Sequence, residues 1–251
     1  MITEYHRPQT IEEALSLLAR KDPPTRALAG GTDVNRSSLD HFAVVDLQGL
    51  GLDRITVEGN QVAVGATVTL QKFCDLPEIA PALKQAIQLE STFNLRQIAT
   101  LAGKLVTATG RSSLAVALLA LDAHLVWEPG NLEISLGNWL PVRSREMPGL
   151  LVTMLKFSSL PQLSFEYVAR TPSDAPLVCA AAAHWPSGRT RLVLGGYGRT
   201  PVVVMDGTEP AGAEYAARDA YSQAGDDWAT AEYRQEIAAV LAQRCIAAFT
   251  A

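Results

Sequence analysis

The chain has 251 residues, of which 48% are hydrophobic and 19% charged, and its formal net charge is −5 at pH 7. This is an ordinary globular composition, enough for one large domain or two modest ones. The acidic balance excludes wholesale binding to nucleic acid or to an anionic membrane, so an anionic ligand needs local backbone donors.

The amino terminus, MITEYHRPQT, lacks the basic and apolar blocks of a leader. Thr10 before IEEALSLLAR, with Glu13 three residues on, is a capping-box pattern, and Ile11, Leu15 and Leu18 share a helical face. A DPPT turn follows. RALA then reads as a short buried strand, the glycine pair Gly30-Gly31 comes next, and FAVVDL (Phe42–Leu47) reads as another strand. A strand–helix–strand–glycine loop in this order fits a small α/β unit.

In ITVEGNQVAVGATVT, alternating apolar residues flank Gly59-Asn60, a two-residue hairpin turn. A helix is expected over APALKQAIQLE. LRQIATLAGKLVTATGRSS is small, polar and loop-like, and it leads into a helix at LAVALLALDA that Ser112 or Ser113 caps. LAVALLAL, from Leu114, is the longest apolar stretch and is too short to span a bilayer. HLVWE and GLLVTMLKF read as strands, as do FEYVAR, LVCAAAAHW and RLVLGGYG, with PSGRT turning between the last two. The chain ends in a helix on which Ile237, Leu241 and Cys245 form a buried face. A boundary is expected near Ser158–Pro161.

Two glycine-bearing stretches are candidates for chemistry. In LAGGTDV, glycine permits positive φ and close ligand approach, successive N–H groups converge on an anion, and Thr32 adds a hydroxyl. The bland reading of this stretch alone is a tight turn. ATLAGKLVTATGRSS also precedes a helix, and two such loops can close on one extended ligand. GGYGRT (Gly195–Thr200) lacks the third glycine of a dinucleotide fingerprint and reads as a strand end. His6, His41, His124 and His184 are isolated, without metal-ligand spacing. Asp226-Asp227 is expected to serve the amino terminus of the last helix. Arg96 suits a phosphate or a structural ion pair equally. The cysteines Cys74, Cys179 and Cys245 are scattered, which argues for free thiols in a reducing compartment, with the cytoplasm as the expected location. No Ser/His/Asp or Cys/His constellation is evident, so no catalytic side chain and no metal site is assigned.

At the two glycine stretches the sequence resembles the flavoprotein subunit of the molybdenum hydroxylases, the group that includes the carbon monoxide dehydrogenase medium subunit and the FAD domain of xanthine dehydrogenase. FEYVARTPSDAPLVCAAAA, LVLGGYGRTPVVV and DDWATAEYRQEIAAVLAQR resemble that family's carboxy-terminal domain, so the likeness covers nearly the whole chain in order. It implies a mixed α/β (α+β) fold with an FAD-binding region at 1–159, in two subdomains of about 1–53 and 54–159. A carboxy-terminal domain at 160–251, with a three-stranded antiparallel sheet and a helical bundle, would complete it.

By this resemblance Leu28, Ala29, Gly30, Gly31, Thr32 and Asp33 cradle the FAD pyrophosphate, while Thr100, Leu101, Ala102 and Gly103 form the opposing wall. Main-chain amides of both stretches are expected to grip the cofactor, and Leu151 falls at an apolar flavin contact. Four positions depart from the family pattern. Lys104 stands for Asn, leaving an ammonium for a phosphate. Ser113 stands for an Asp on the flavin's sugar-like chain, and Tyr167 stands for a Lys, with Thr171 replacing a following Arg. The implied role is electron transfer through FAD, alongside a molybdopterin-binding large subunit and a 2Fe-2S small subunit, with self-association allowed. The alternatives are a structural subunit that has lost flavin and, ranked last, a self-contained FAD oxidase.

Overall fold

The computed structural model describes residues 1–34, 41–143, 149–172 and 174–249; residues 35–38 of RALAGGTDVNRSS and Ser173 of FEYVARTPSDAP lie outside them. The chain divides into two compact units: Met1–Phe73, Phe93–Thr107 and His124–Lys156 in the first, Cys74–Thr92, Ala108–Ala123 and Phe157–Ala251 in the second. The fold is mixed α/β, as the sequence implies.

Strand β1 (Ile2–His6) leads to helix α1 (Ile11–Leu18). Thr10 Oγ1 accepts the Glu13 amide at 3.2 Å, and the Glu13 carboxylate reaches back to the Gln9 amide at 3.1 Å. These bonds satisfy donors that a helix start leaves open. Strands β2 (Thr25–Leu28) and β3 (Phe42–Asp46) complete a parallel sheet ordered β1-β3-β2. Every residue of the central β3 is buried. The expectation of a buried strand at RALA is corrected, because β2 is an edge strand on which Arg26 and Ala27 are exposed. Ala14 and Leu18 of α1 pack with Val45, Leu47 and Leu151 in one apolar cluster.

Strands β4 (Ile55–Glu58) and β5 (Gln61–Gly65) form the expected hairpin, pairing Glu58 with Gln61 across Gly59, whose φ of +59° is the left-handed value such a turn demands. Helices α2 (Leu70–Cys74), α3 (Pro81–Glu90), α4 (Phe93–Arg96) and α5 (Leu101–Val106) follow. The last two correct the expectation of a loop over this stretch. Runs of four and six residues are too short to show a readable helical period. Helix α6 (Ser113–Ala120) is buried throughout and is capped by Ser112, whose Oγ accepts the Ala115 amide at 3.1 Å. Strands β6 (His124–Glu128) and β7 (Leu132–Ser135), helix α7 (Leu136–Trp139) and strand β8 (Leu151–Ser158) come next. The second sheet is ordered β4-β5-β8-β6-β7.

Strands β9 (Gln162–Val168), β10 (Val178–His184), β11 (Thr190–Gly195) and β12 (Val202–Gly207) form an antiparallel sheet, followed by helices α8 (Ala213–Ala220) and α9 (Ala231–Ala247). The sheet has four strands rather than three, because VVVMDG adds β12 at one edge. Val178, Ala180 and Ala182 pack with Leu241, Ala242 and Cys245 of α9. The alternate residues Cys179, Ala181 and Ala183 are equally buried, and α6 lies against β10 and β11. A strand covered on both faces reads as a continuous apolar run rather than an alternating one, as CAAAA does. Burial raises the thiols of Cys179 and Cys245, the latter to about 12.

The start of α9 differs from expectation. Thr230 caps it, accepting the Tyr233 amide at 3.3 Å. Asp226 instead accepts the Trp228 amide at 2.8 Å and takes both carboxylate oxygens to the fully buried Arg234, at 2.9 and 3.0 Å. Arg234 also donates to the carbonyls of Leu177 and Ala224, which pins α9 to the sheet and the preceding turn.

At the opposite side of this sheet, Asp206 on β12 accepts from Arg189 at 2.7 and 2.9 Å and from Arg191 at 2.7 and 3.0 Å. The same two arginines reach Asp122, just past α6. The hydrogen bond from Arg189, helped by Arg191, holds the Asp206 carboxyl at about 2 against an ordinary 3.8. A carboxyl depressed on folding stabilises fully above its unfolded value and loses that contribution as pH falls toward its folded value. Thermal melts of wild type and Asp206→Asn between pH 7 and pH 2 therefore test the cluster. The variant should melt lower at pH 7, and the gap between the two should close between about pH 4 and pH 2.

Candidate functional site

The first unit contains a cleft of about 400 Å³ whose lining begins at the exposed edge strand and its glycine turn. Arg26, Ala27 and Ala29 through Val34 form one side, with Thr100, Ala102, Gly103, Val106 and Thr107 facing them. Leu47, Ala66, Trp127, Trp139, Arg143 and Leu150 to Val152 complete the wall.

The glycine turn is forced by a close approach of two main chains. A Cβ on Gly30 would lie 1.9 Å from the Ile98 carbonyl oxygen, a distance no side chain survives. Gly31 has φ +71°, in the region that L side chains rarely adopt. The turn is tied on its far side, where the Thr107 hydroxyl lies 3.2 Å from Asp33 Oδ2. Held this way, Gly30, Gly31 and Thr32 make no hydrogen bond through their amides among the described residues. Three adjacent donors without acceptors among the described residues, in a turn that lines a cavity, are the material of an anion cradle.

Most of the facing stretch spends its amides within the chain, which narrows the expectation that amides of both stretches grip the ligand: from Thr100 to Gly103 only the Thr100 amide is without an acceptor among the described residues. The Leu101 amide donates to Val68 O at 2.9 Å and the Ala102 amide to Ala66 O at 3.2 Å. The Gly103 amide is taken by Thr100 Oγ1 at 3.4 Å. Thr100 is thereby both the cap of α5 and part of the cleft wall.

The structure brings together at this cleft Ala29, Gly30, Gly31, Thr32, Asp33, Thr100, Ala102, Gly103 and Leu151 of the residues singled out in the sequence. Leu28 ends β2 and Leu101 is buried; neither lines the cavity, nor does Lys104. Ser113 and Tyr167 belong to the second unit. The Ser113 hydroxyl is fully buried and committed: it donates to Ala86 O at 2.8 Å and lies 3.4 Å from Glu90 Oε2. Glu90 also accepts from the Ser112 hydroxyl and the Leu114 amide, so a carboxylate from α3 does the work at the α6 amino terminus. Tyr167 is half-buried on β9 and stacks on Phe165, with ring centroids 6.0 Å apart. Arg96 donates to Gln71 Oε1 at 3.1 Å.

Arg26, Arg143, Trp127 and Trp139 were not singled out in the sequence. Arg26 carries its guanidinium 4.4 Å over the Phe42 ring at the cleft edge, and the edge position of β2 is the signal that finds it. The two indoles lie 5.6 Å apart, nearly buried, and neither Nε1 has an acceptor among the described residues. Their spacing of twelve residues across a hairpin and a helical turn carries no readable pattern.

A family model described as the FAD binding domain in molybdopterin dehydrogenase matches residues 1–153. The chain belongs to this family. Its cofactor is FAD, and it is an FAD-binding oxidoreductase component of the molybdenum hydroxylase type. The chain is 27% identical over 198 residues to the uncharacterised protein YgfM of Escherichia coli K12, covering 78% of this chain and 75% of that one. It is 33% identical over 134 residues to the nicotinate dehydrogenase FAD-subunit of Eubacterium barkeri, covering 50% of this chain and 45% of that one. Among solved structures it shares the fold of reconstituted CO dehydrogenase from Oligotropha carboxidovorans, at a TM-score of 0.81 and 22% identity, over 97% of this chain and 96% of that one. The cleft fits FAD on its own terms, offering free amides for a pyrophosphate and largely apolar walls for a ring. Among the described residues no His, Cys, Asp and Glu group is placed to hold a metal, and no helix is long and apolar enough to cross a membrane.

Gly30→Ala tests the cradle. The added methyl meets a main-chain oxygen that cannot step aside, so the turn must shift and its amides lose their aim. Losing two charge-assisted bonds costs about 3 kcal/mol or more, so FAD affinity should fall at least about 100-fold in an equilibrium titration. Far-UV circular dichroism should show a folded chain; retained affinity in a folded variant contradicts the cradle.

Proposed function

We propose that this chain is the electron-transfer flavoprotein subunit of a multisubunit molybdenum hydroxylase. In this reading it takes electrons from an iron–sulfur subunit and passes them to an external acceptor. The observation that carries it is the row of acceptor-free amides at Gly30, Gly31 and Thr32, inside the region that matches the family. Bound FAD supplies the redox chemistry, and the chain binds and orients it.

The roles of the chain's own residues follow from the cleft. The turn amides take the pyrophosphate of the cofactor. Arg26, exposed and lining the cleft, supplies countercharge that Lys104 does not bring to the cavity. Thr100, Ala102 and Gly103 form the opposing wall, and Leu151 offers an apolar face. No side chain in the cleft is needed as a general acid or base. We assign flavin binding to residues 1–159 and keep 160–251 as the carboxy-terminal domain. The organic substrate is assigned to a molybdopterin-binding large subunit, and a 2Fe-2S small subunit is the proposed electron donor. The free amides speak for retained flavin over the structural alternative, since a turn that had lost its ligand would gain by closing on chain acceptors.

The purified full chain, reconstituted with FAD and desalted, should keep flavin absorbance at close to one equivalent. Quenching of Trp127 and Trp139 emission should accompany binding. A colourless protein that ignores added FAD overturns the reading. Arg26→Gln should weaken FAD binding about tenfold, the scale of one lost charge-assisted contact, and should flatten its salt dependence. An unchanged dissociation constant removes Arg26 from the site.

A further inference from the structure

One part of the second unit gathers three guanidiniums around Tyr197 and Trp228. The guanidinium of Arg111, in the TGRSS stretch before α6, donates through Nε to Gly196 O at 3.1 Å. Its Nη2 is buried and makes no hydrogen bond, and its Nη1 makes none among the described residues. The nearest carboxylate oxygen, Asp226 Oδ2, is 3.9 Å away and is already committed to Arg234. The side chain of Arg111 is only 20% exposed.

Two further guanidiniums stand close by. Arg170 donates through Nη2 to Trp228 O at 2.8 Å and lies 5.1 Å over the Trp228 ring. Arg111 lies 4.6 Å over the same ring, and Arg234 lies 5.0 Å over Tyr197. Arg111 and Arg234 therefore share the carboxylate of Asp226, and Arg170 adds a third positive charge near Arg111. A largely buried cation that keeps four of its five N–H groups without acceptors is costly unless an anion meets it. Burial first, and then Arg234 and Arg170, pull the Arg111 guanidinium below its ordinary value against the opposing pull of Asp226. Trp228 is 49% exposed, so the group lies at the surface rather than in a sealed core.

We propose that Arg111, Arg170 and Trp228 form a binding site for a phosphate-type oxyanion, distinct from the glycine cradle of the first unit. Nη1 of Arg111, which unlike Nη2 is not buried, is the atom that can donate to a phosphate oxygen. Arg170 and Arg234 add field, and the indole provides a flat apolar wall. A doubly charged anion suits the excess of positive charge better than a carboxylate does. The site takes an inorganic phosphate or the phosphate group of a larger molecule.

The test uses the full chain already loaded with FAD, so that the cleft of the first unit is filled. Inorganic phosphate is titrated by calorimetry at ionic strength fixed with chloride, with acetate and adenosine monophosphate as parallel arms. Phosphate should bind saturably in the millimolar range or tighter, the scale of about 4 kcal/mol, and flavin absorbance should stay with the protein. Adenosine monophosphate binding at least as well as phosphate assigns a phosphorylated molecule, whereas phosphate alone assigns the free ion. Arg111→Gln should weaken binding at least tenfold and Arg170→Gln about threefold, and phosphate should change the emission of Trp228 in the wild-type chain. Acetate matching phosphate, or no saturation by about 10 mM, overturns the proposal. Arg170 is exposed and its variant should fold; if Arg111→Gln does not fold, unchanged phosphate binding by Arg170→Gln together with an unresponsive Trp228 also overturns it.

Discussion

The approach of Gly30 to the Ile98 carbonyl is the constraint on which the rest of the site depends. Two segments far apart in sequence come so close that no side chain fits between them, and the turn after β2 is thereby given one course. That course leaves its amides without chain acceptors among the described residues, in a turn that lines a cavity. The positive φ at Gly31 completes the turn, and Thr107 steadies its far end through Asp33. A loop free to relax would turn these donors toward water or toward carbonyls of the chain. Here the packing of main chain on main chain holds them open, so the cost of pre-organisation is met by folding rather than by binding.

The two sides of the cleft divide the labour. The glycine turn has donors to spare, while α5 spends its first amides on Ala66, Val68 and Thr100. The second stretch is therefore rigid, which is what an opposing wall requires. The departures from the family pattern read differently in this light. Lys104 does not face the cavity, and the hydroxyl of Ser113 serves Ala86 and Glu90. Arg26, which lines the cleft together with Arg143, stands on the exposed edge of β2.

Much of this was legible in the sequence, for reasons that are local. Glycine in pairs after an apolar run marks a backbone requirement, Gly59-Asn60 marks a hairpin, and Thr10 and Ser112 mark helix starts, because each motif is satisfied within a few residues. The parts that were misread depend on partners far along the chain. Whether RALA is central or at an edge is decided by where β1 and β3 pair. Whether Ser113 faces a ligand is decided by Glu90 and Ala86 on another helix. Asp226 looked like a helix cap, yet Thr230 caps the helix and Asp226 is drawn to a buried arginine eight residues on. The tryptophans of the cleft converge from a strand and a helical turn, with no periodicity to announce them.

The most direct measurement is amide hydrogen exchange over Arg26–Val34 in the full chain, with and without saturating FAD. The account predicts fast exchange at Gly30, Gly31 and Thr32 in the free protein and strong protection in the complex, with little change at Leu101 and Ala102, which are already bonded. FAD bound at full occupancy while the three turn amides still exchange freely would contradict it.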